Sequence, residues 1–189
     1  MANFVPMKIA GAWIIDSQVY GDERGIFREW FQSEVFENET GLKFAPAQAN
    51  LSRSAKGVVR GIHFSRAHAG QSKLVTCANG RVLDVVVDIR PDSPTFKCWE
   101  AIELDPSSGR SVFIGHGLGH AFLALEDESV VTYLLSSPYS PKEEFEVNPF
   151  DEEIGIKWPA SNLSLSKKDA AAPTLSAFLA GLAPINRLD

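Results

Sequence analysis

The chain has 189 residues, 44% hydrophobic and 22% charged, the profile of a globular protein able to bury a sizeable core within one domain. Its formal net charge of −6 argues against a nucleic-acid binder, which requires a basic face, while leaving room for a few Arg and Lys side chains to dominate one small pocket. Two cysteines, Cys77 and Cys98, are too few for a disulfide framework and predict a protein with reduced thiols.

At the start of the chain, Met1-Ala2-Asn3-Phe4-Val5-Pro6 lacks the basic and apolar regions of a signal peptide, and no apolar run is long enough to span a bilayer. A cytoplasmic protein with no membrane partner is expected. Strand signals then run from Trp13-Ile14-Ile15 through Gly25 to Trp30 and Phe44 to Asn50. Between the last two, Ser33 is placed to cap a short helix that continues through Glu37 and stops at Gly41. The strand series continues with Val58 to Phe64, Lys73 to Ala78, Arg81 to Ile89, Trp99 to Leu104, Arg110 to Ile114, His120 to Leu125 and Val130 to Leu135. Turn sequences separate them at Ala78-Asn79-Gly80, Pro91-Asp92-Ser93-Pro94, Asp105-Pro106-Ser107-Ser108-Gly109 and Glu126-Asp127-Glu128. A second helix follows Pro173, where Leu175, Phe178, Leu179 and Leu182 recur at helical spacing.

Many short strands at regular spacing, with no repeat, low-complexity tract or linker, predict an all-β fold, a double-stranded β-helix jelly roll with short flanking helices. Residues 1–189 are expected to form one domain with a helical extension from about residue 164. Within Arg81 to Ile89, the side chains of Leu83, Val85, Val87 and Ile89 share one face and leave Asp84 and Asp88 on the other. One face is therefore expected to pack a core while the other carries carboxylates. His63 and Gly61 share a parity that Arg60 does not. If Arg60 and His63 touch one ligand, the chain needs a bulge near Gly61 or a site at the strand mouth.

Arg60, His63 and Lys73 are planted among short apolar runs, and the strands of a small barrel turn alternate side chains inward. A base and a cation meeting in an enclosed cavity suit proton removal beside a carbonyl. Each residue also has a plainer reading. His63 would be a hydrogen-bonded strand histidine, Lys73 a strand-edge charge, Tyr133 a core tyrosine, and Asp84 and Asp88 partners for turns or arginines.

Taken as an ordered set, Arg60-Gly61-Ile62-His63-Phe64, Gln71-Ser72-Lys73-Leu74-Val75, Asp84-Val85-Val86-Val87-Asp88-Ile89-Arg90, Ser93-Pro94-Thr95-Phe96 and Gly117-Leu118-Gly119-His120-Ala121-Phe122 resemble the dTDP-4-dehydrorhamnose 3,5-epimerase family. The resemblance begins at Gly21-Asp22-Glu23-Arg24-Gly25. It ends with Ile154-Gly155-Ile156-Lys157-Trp158-Pro159 and Leu165-Ser166-Lys167-Lys168-Asp169-Ala170-Ala171-Ala172-Pro173, and so spans nearly the whole chain. It implies a cupin-like homodimer that epimerises a dTDP-4-keto-6-deoxyhexose without metal or redox cofactor. Inverting a carbon beside a ketone needs a base on one face of the sugar, an acid on the other, and a group that stabilises the enolate.

The resemblance implies His63 as base, a residue type whose ordinary pKa of about 6.5 leaves much of it neutral at working pH. It implies Asp169 on the far ring nitrogen, Tyr133 as the acid opposite, Lys73 near the C4 oxygen and His120 as a further sugar contact. Arg24 and Arg60 are implied at the pyrophosphate, where forked donors work well. Glu29, Gln48, Asn50, Glu144 and Lys168 fall at the family's other substrate-contacting positions. N-terminal strands in this family tend to cross between subunits, so contacts from Arg24 to Glu29 would reach a neighbouring pocket. Departures occur at Tyr133-Leu134 in place of Tyr-Lys, at Pro138-Tyr139 in place of Tyr-Tyr, and within Gly117 to Phe122. They resemble the branch that serves antibiotic deoxysugars, whose members include epimerases of C3 alone or C5 alone.

Two other functions fit parts of the sequence. A metal-dependent cupin isomerase or dioxygenase would draw on His63, His68, His116 and His120, the only histidines. No His-x-His pair lies on one strand face, however, and the spacing of His116 and His120 suits a helix rather than this glycine-rich segment. A non-catalytic sugar-nucleotide-binding protein would have no need of His63, Tyr133 and Asp169 together.

Overall fold

The structure, a computed structural model, describes residues 2–66 and 70–181. Elements follow in the order β1 (Asn3–Pro6), β2 (Ala12–Asp16), β3 (Tyr20–Asp22), β4 (Gly25–Phe27), α1 (Ser33–Thr40), β5 (Gln48–Ser54), β6 (Val59–Ser65), β7 (Lys73–Asn79) and β8 (Val82–Asp88). The chain continues through β9 (Trp99–Leu104), β10 (Arg110–Ile114), β11 (Leu118–Ala124), β12 (Ser129–Leu135), β13 (Glu144–Glu146), α2 (Lys167–Ala170) and α3 (Leu175–Gly181).

One sheet has the order β1-β2-β10-β7-β12-β5 and a second has β13-β6-β11-β8-β9, with every pairing antiparallel. From β5 onward the chain passes from one sheet to the other at nearly every connection, with the β8–β9 hairpin as the exception. That alternation is the double-stranded β-helix predicted from strand spacing. The short β3–β4 hairpin stands outside both sheets.

Three apolar layers result. Between the sheets lie Val75, Cys77, Val82, Val86, Val112 and Phe122 with their neighbours. The outer face of the five-stranded sheet buries Ile62, Phe64, Val85 and Val87 beneath Val147, Ile154 and Leu175. The outer face of the six-stranded sheet packs Leu74 and Phe113 against Phe36 and Phe44.

β8 therefore corrects the expectation of a core face opposed to a carboxylate face. Asp84 and Asp88 are both 0% exposed, on the same side as the core residues Val82 and Val86. The opposite side is also buried, because the segment after β13 covers the sheet. The first helix differs too. Gln32 occupies its cap position without a side-chain hydrogen bond, Ser33 is its first residue, and it runs on to Thr40 before Gly41 closes it at φ 70°. Phe36, packed on Phe44 and Phe113, anchors the helix, so packing sets its start. The strand predicted over Phe44 to Asn50 begins at Gln48 instead, beyond Pro46, and extends to Ser54. Leu182 and His68 lie outside the described residues.

Candidate active site

The backbone of β6 makes the site possible. Against β11, His63 pairs with His120 and Arg60 with Phe122, so three residue steps on β6 match two on β11. This extra residue is the bulge that the parity of Arg60 and His63 required. Gly61 sits inside it at φ +116°, where a Cβ would lie 2.5 Å from the His120 carbonyl oxygen and 2.6 Å from Ala121 Cβ. Only glycine fits there. The bulge turns Arg60 and His63 to one cavity while Ile62 and Phe64 stay in the outer core.

The C-terminal segment brings Asp169 to His63. Val59 N donates to Ser164 O at 2.9 Å, and Ser164 N donates to Gly57 O at 2.9 Å, which zips the segment alongside the start of β6. Two residues further on, Ser166 caps α2. Asp169 on that turn is 3% exposed, and its Oδ1 lies 2.6 Å from His63 Nε2. Burial pushes the Asp169 carboxyl up, but hydrogen bonds from His63 and Ser166 and the nearby His63 and Lys168 charges outweigh it, holding the group below the usual carboxylate range. An ionised carboxylate has no proton to give, so Nε2 donates and the lone pair of neutral His63 lies on Nδ1. Lys168 is tied to Glu146 at 3.0 Å, and Glu146 pairs in register with His63.

The opposite wall comes from the six-stranded sheet. Tyr133 pairs with Asn50 and with Val75, and Leu135 pairs with Gln48 and with Lys73. The period of two turns Lys73, Tyr133 and Asn50 inward together. Lys73 is 8% exposed and its Nζ donates to the His63 carbonyl oxygen at 3.5 Å. Burial pulls the Lys73 ammonium below the usual lysine range, against the opposing pull of Glu144 and Asp84.

Asn50, Arg60, His63, Lys73, Tyr133, Glu144, Lys168 and Asp169 all line one cavity of about 260 Å³. Gln48 stands behind it, donating to Asn50 Oδ1 and accepting from the Tyr139 backbone N–H, both at 2.8 Å. His120 lies across the β6–β11 pair, with its Nε2 2.8 Å from Asp84 Oδ2, and Asp84 Oδ1 has no hydrogen-bond partner. Arg24 and Glu29 are elsewhere in the chain. Arg24 turns back on Asp22 at the tip of the β3–β4 hairpin. Glu29 lines a separate cavity of about 360 Å³ with Trp30, Phe31 and Phe36.

Sequence reasoning did not select Gln71, Tyr139 or Ser166, which also line the site. Gln71 donates to Glu144 Oε1 at 3.0 Å and to Ser137 Oγ at 3.3 Å, which fixes the loop before Tyr139. These residues lie in connections where no periodicity marks an inward side chain. Of the departures, Leu134 packs in the outer aromatic layer, away from the cavity, while Pro138 is exposed at the rim beside Tyr139. Among the described residues, no three His, Cys, Asp or Glu side chains converge as a metal-ligand cluster.

The sequence profile of dTDP-4-dehydrorhamnose 3,5-epimerase matches residues 6–177. A dTDP-4-dehydrorhamnose 3,5-epimerase of Mycolicibacterium smegmatis is 51% identical over 180 residues, covering 94% of this chain and 89% of the relative. A dTDP-4-dehydrorhamnose 3-epimerase of Streptomyces niveus is 46% identical over 180 residues, covering 95% and 87%. The crystal structure of a 4-keto-6-deoxy sugar epimerase from the novobiocin biosynthetic gene cluster of Streptomyces spheroides superposes with a TM-score of 0.93 at 44% identity, covering 97% of this chain and 93% of that one.

Proposed function

The chain belongs to the dTDP-4-dehydrorhamnose 3,5-epimerase family, and from that premise we propose that it inverts C3, C5 or both of a dTDP-4-keto-6-deoxyhexose through an enolate. The observation that carries the proposal is a histidine paired with a buried aspartate, opening on a cavity it shares with Tyr133 and Lys73. In the proposed reaction His63 Nδ1 takes the proton alpha to the ketone, and the C–H bonding pair moves into the enolate, whose charge gathers on the C4 oxygen. Asp169 stabilises the imidazolium, and Lys73 offsets the oxygen's charge. Tyr133 then delivers its hydroxyl proton to the same carbon from the other face. Solvent reprotonates the tyrosinate and takes the proton from His63. The ketone itself makes C3–H and C5–H acidic, so we assign no metal or redox cofactor.

Arg60 and Lys168 at the rim supply positive charge for a pyrophosphate. The exposed Tyr139 ring beside them offers a face on which a nucleobase stacks. Asn50 and Glu144 complete the substrate contacts along the cavity wall of one copy, Gln48 supports Asn50 from behind, and His120 is carried over from the family as a further sugar contact. Arg24 and Glu29 act in the pocket of a second copy, in a homodimer. The β3–β4 hairpin supports this, since it leaves Tyr20, Ile26 and Phe27 at 54% to 65% exposure, an apolar surface suited to burial against another chain. We assign the enzyme to the cytoplasm, in keeping with two free cysteines. No helix among the described residues is long and apolar enough to cross a membrane. Residues 1–189 are taken as one working domain, with the extension from about residue 164 contributing Lys168 and Asp169.

Incubation with dTDP-4-keto-6-deoxyglucose in D2O tests the proposal. Deuterium enters C3, C5 or both, and the pattern distinguishes a single from a double epimerase. Absence of exchange at either carbon overturns the proposal.

A further inference from the structure

Asp169 has two carboxylate oxygens, and the His63 ring occupies only one of them. The other, Oδ2, accepts a hydrogen bond from Ser166 Oγ at 2.9 Å. The same hydroxyl oxygen accepts from the Asp169 backbone N–H at 3.0 Å. A single hydroxyl thus holds one residue at two points. With Oδ1 on His63 Nε2 at 2.6 Å, the carboxylate cannot rotate about its terminal bond without breaking a contact.

Among the described residues, the side-chain hydrogen bonds to this carboxylate come from His63 and Ser166. A helix of four residues has no cooperative stability of its own. The neighbouring Lys168 ammonium is drawn to Glu146 Oε2 at 3.0 Å, so it supplies nearby positive charge but is not fastened to Asp169. Lys73, Glu144 and Arg60 face the same cavity from β7, β13 and β6, and none of them hydrogen-bonds to this carboxylate.

We propose that Ser166 is a positioning residue for the reaction, its hydroxyl aiming the Asp169 carboxylate at His63 and so completing a Ser166–Asp169–His63 relay. The effect on rate rests on the epimerase reading, whereas the effect on the hydrogen bond does not. A hydroxyl that only capped α2 would need its acceptor oxygen alone. The proposed role needs its proton as well.

Ser166→Ala and Ser166→Thr are compared with the unaltered enzyme by two readouts, at a temperature where circular dichroism shows all three folded. The first is the low-field proton resonance of the His63–Asp169 hydrogen bond, identified by its loss in His63→Asn. The second is deuterium wash-in, resolved into kcat and KM. In Ser166→Ala the resonance broadens or moves upfield and kcat falls roughly tenfold, the scale of a hydrogen bond to a charged group. KM stays near its original value, and Ser166→Thr restores both readouts. An unchanged resonance, an unchanged kcat, or a loss that threonine does not repair overturns the proposal. If the resonance responds as described but even the unaltered enzyme exchanges no deuterium, the positioning role stands and the epimerase reading fails.

Discussion

The chemistry of the site depends on a few side chains whose surroundings fix their protonation. Asp169 holds His63 Nε2 and so leaves Nδ1 as the nitrogen free to act as base, and Lys73 brings an ammonium to a place that burial makes unfavourable for it. Lys73→Met removes the cation that offsets the enolate oxygen. The expected result is a loss of wash-in of at least about 100-fold, a scale typical for one stabilising group in a closed site, and wash-in within tenfold of normal would contradict the role. Gly61→Ala forces a methyl group into the His120 carbonyl oxygen and Ala121 at a φ that alanine rarely adopts. It should cost about 2 kcal/mol or more of stability in urea denaturation and lower the wash-in rate. A variant as stable and active as the original would show that the bulge is dispensable. His63, Arg60 and Lys73 were legible because polar residues interrupted apolar strands. Asp169 and Tyr133 entered through the family pattern, since an aspartate in a four-residue helix and a tyrosine in a strand have no periodic signature of function.

At the scale of elements, the segment after β13 supplies both the outer core and the aspartate of the site. Asp151 organises it, accepting from Glu153 N at 2.8 Å, Ile154 N at 3.0 Å and Leu175 N at 2.7 Å. Asp151→Ala leaves these donors unpaired around a buried position, and a loss of about 2 to 3 kcal/mol is expected in chemical denaturation. A change below about 0.5 kcal/mol would mean that water replaces the carboxylate without cost. The long strands were legible from alternation and turn residues, and β9 and β10 have the predicted limits. By contrast, β1, β3, β13 and α2 have four residues or fewer, too short for either period to repeat. The inner and outer faces of β8 are not told apart by sequence because valines occupy both. Sequence alternation separates the faces but does not say what covers each one.

Over the whole molecule, the two-sheet architecture followed from the number and spacing of strands, while the pairing of distant segments at the site did not. His63 and Asp169 are 106 residues apart, and the bonds of Ser164 and Val147 to the chain around β6 help make them neighbours. The same assembly predicts acid sensitivity. Burial raises the Asp88 carboxyl, but hydrogen bonds from Arg90, Ser93 and Thr95 lower it further, leaving it well below the usual carboxylate range, and Asp169 is lowered as well. A carboxylate with a depressed folded pKa binds fewer protons folded than unfolded. Its stabilisation is therefore complete above the unfolded value of about 4 and drains away as pH falls through the folded one. Thermal melts should hold a plateau near neutrality and fall below about pH 4, and Asp88→Asn should flatten that fall. An identical acid slope in the variant would remove Asp88 from the account. Light scattering should give twice the mass of the 20.7 kDa chain, with Phe27→Lys shifting it toward one copy. A monomeric unaltered protein that still turns over would contradict the shared pocket.

The central claim is that a base and an acid work on opposite faces of one ketosugar. Its most direct test compares His63→Ala with Tyr133→Phe on dTDP-4-keto-6-deoxyglucose in D2O, measuring wash-in and net inversion at each carbon. His63→Ala should abolish both at every position while substrate still binds. Tyr133→Phe should keep much of the wash-in, because the base returns a proton to the face it came from, and should lose inversion by about 100- to 10,000-fold. Inversion at the normal rate in Tyr133→Phe, or wash-in surviving in His63→Ala, would contradict the account.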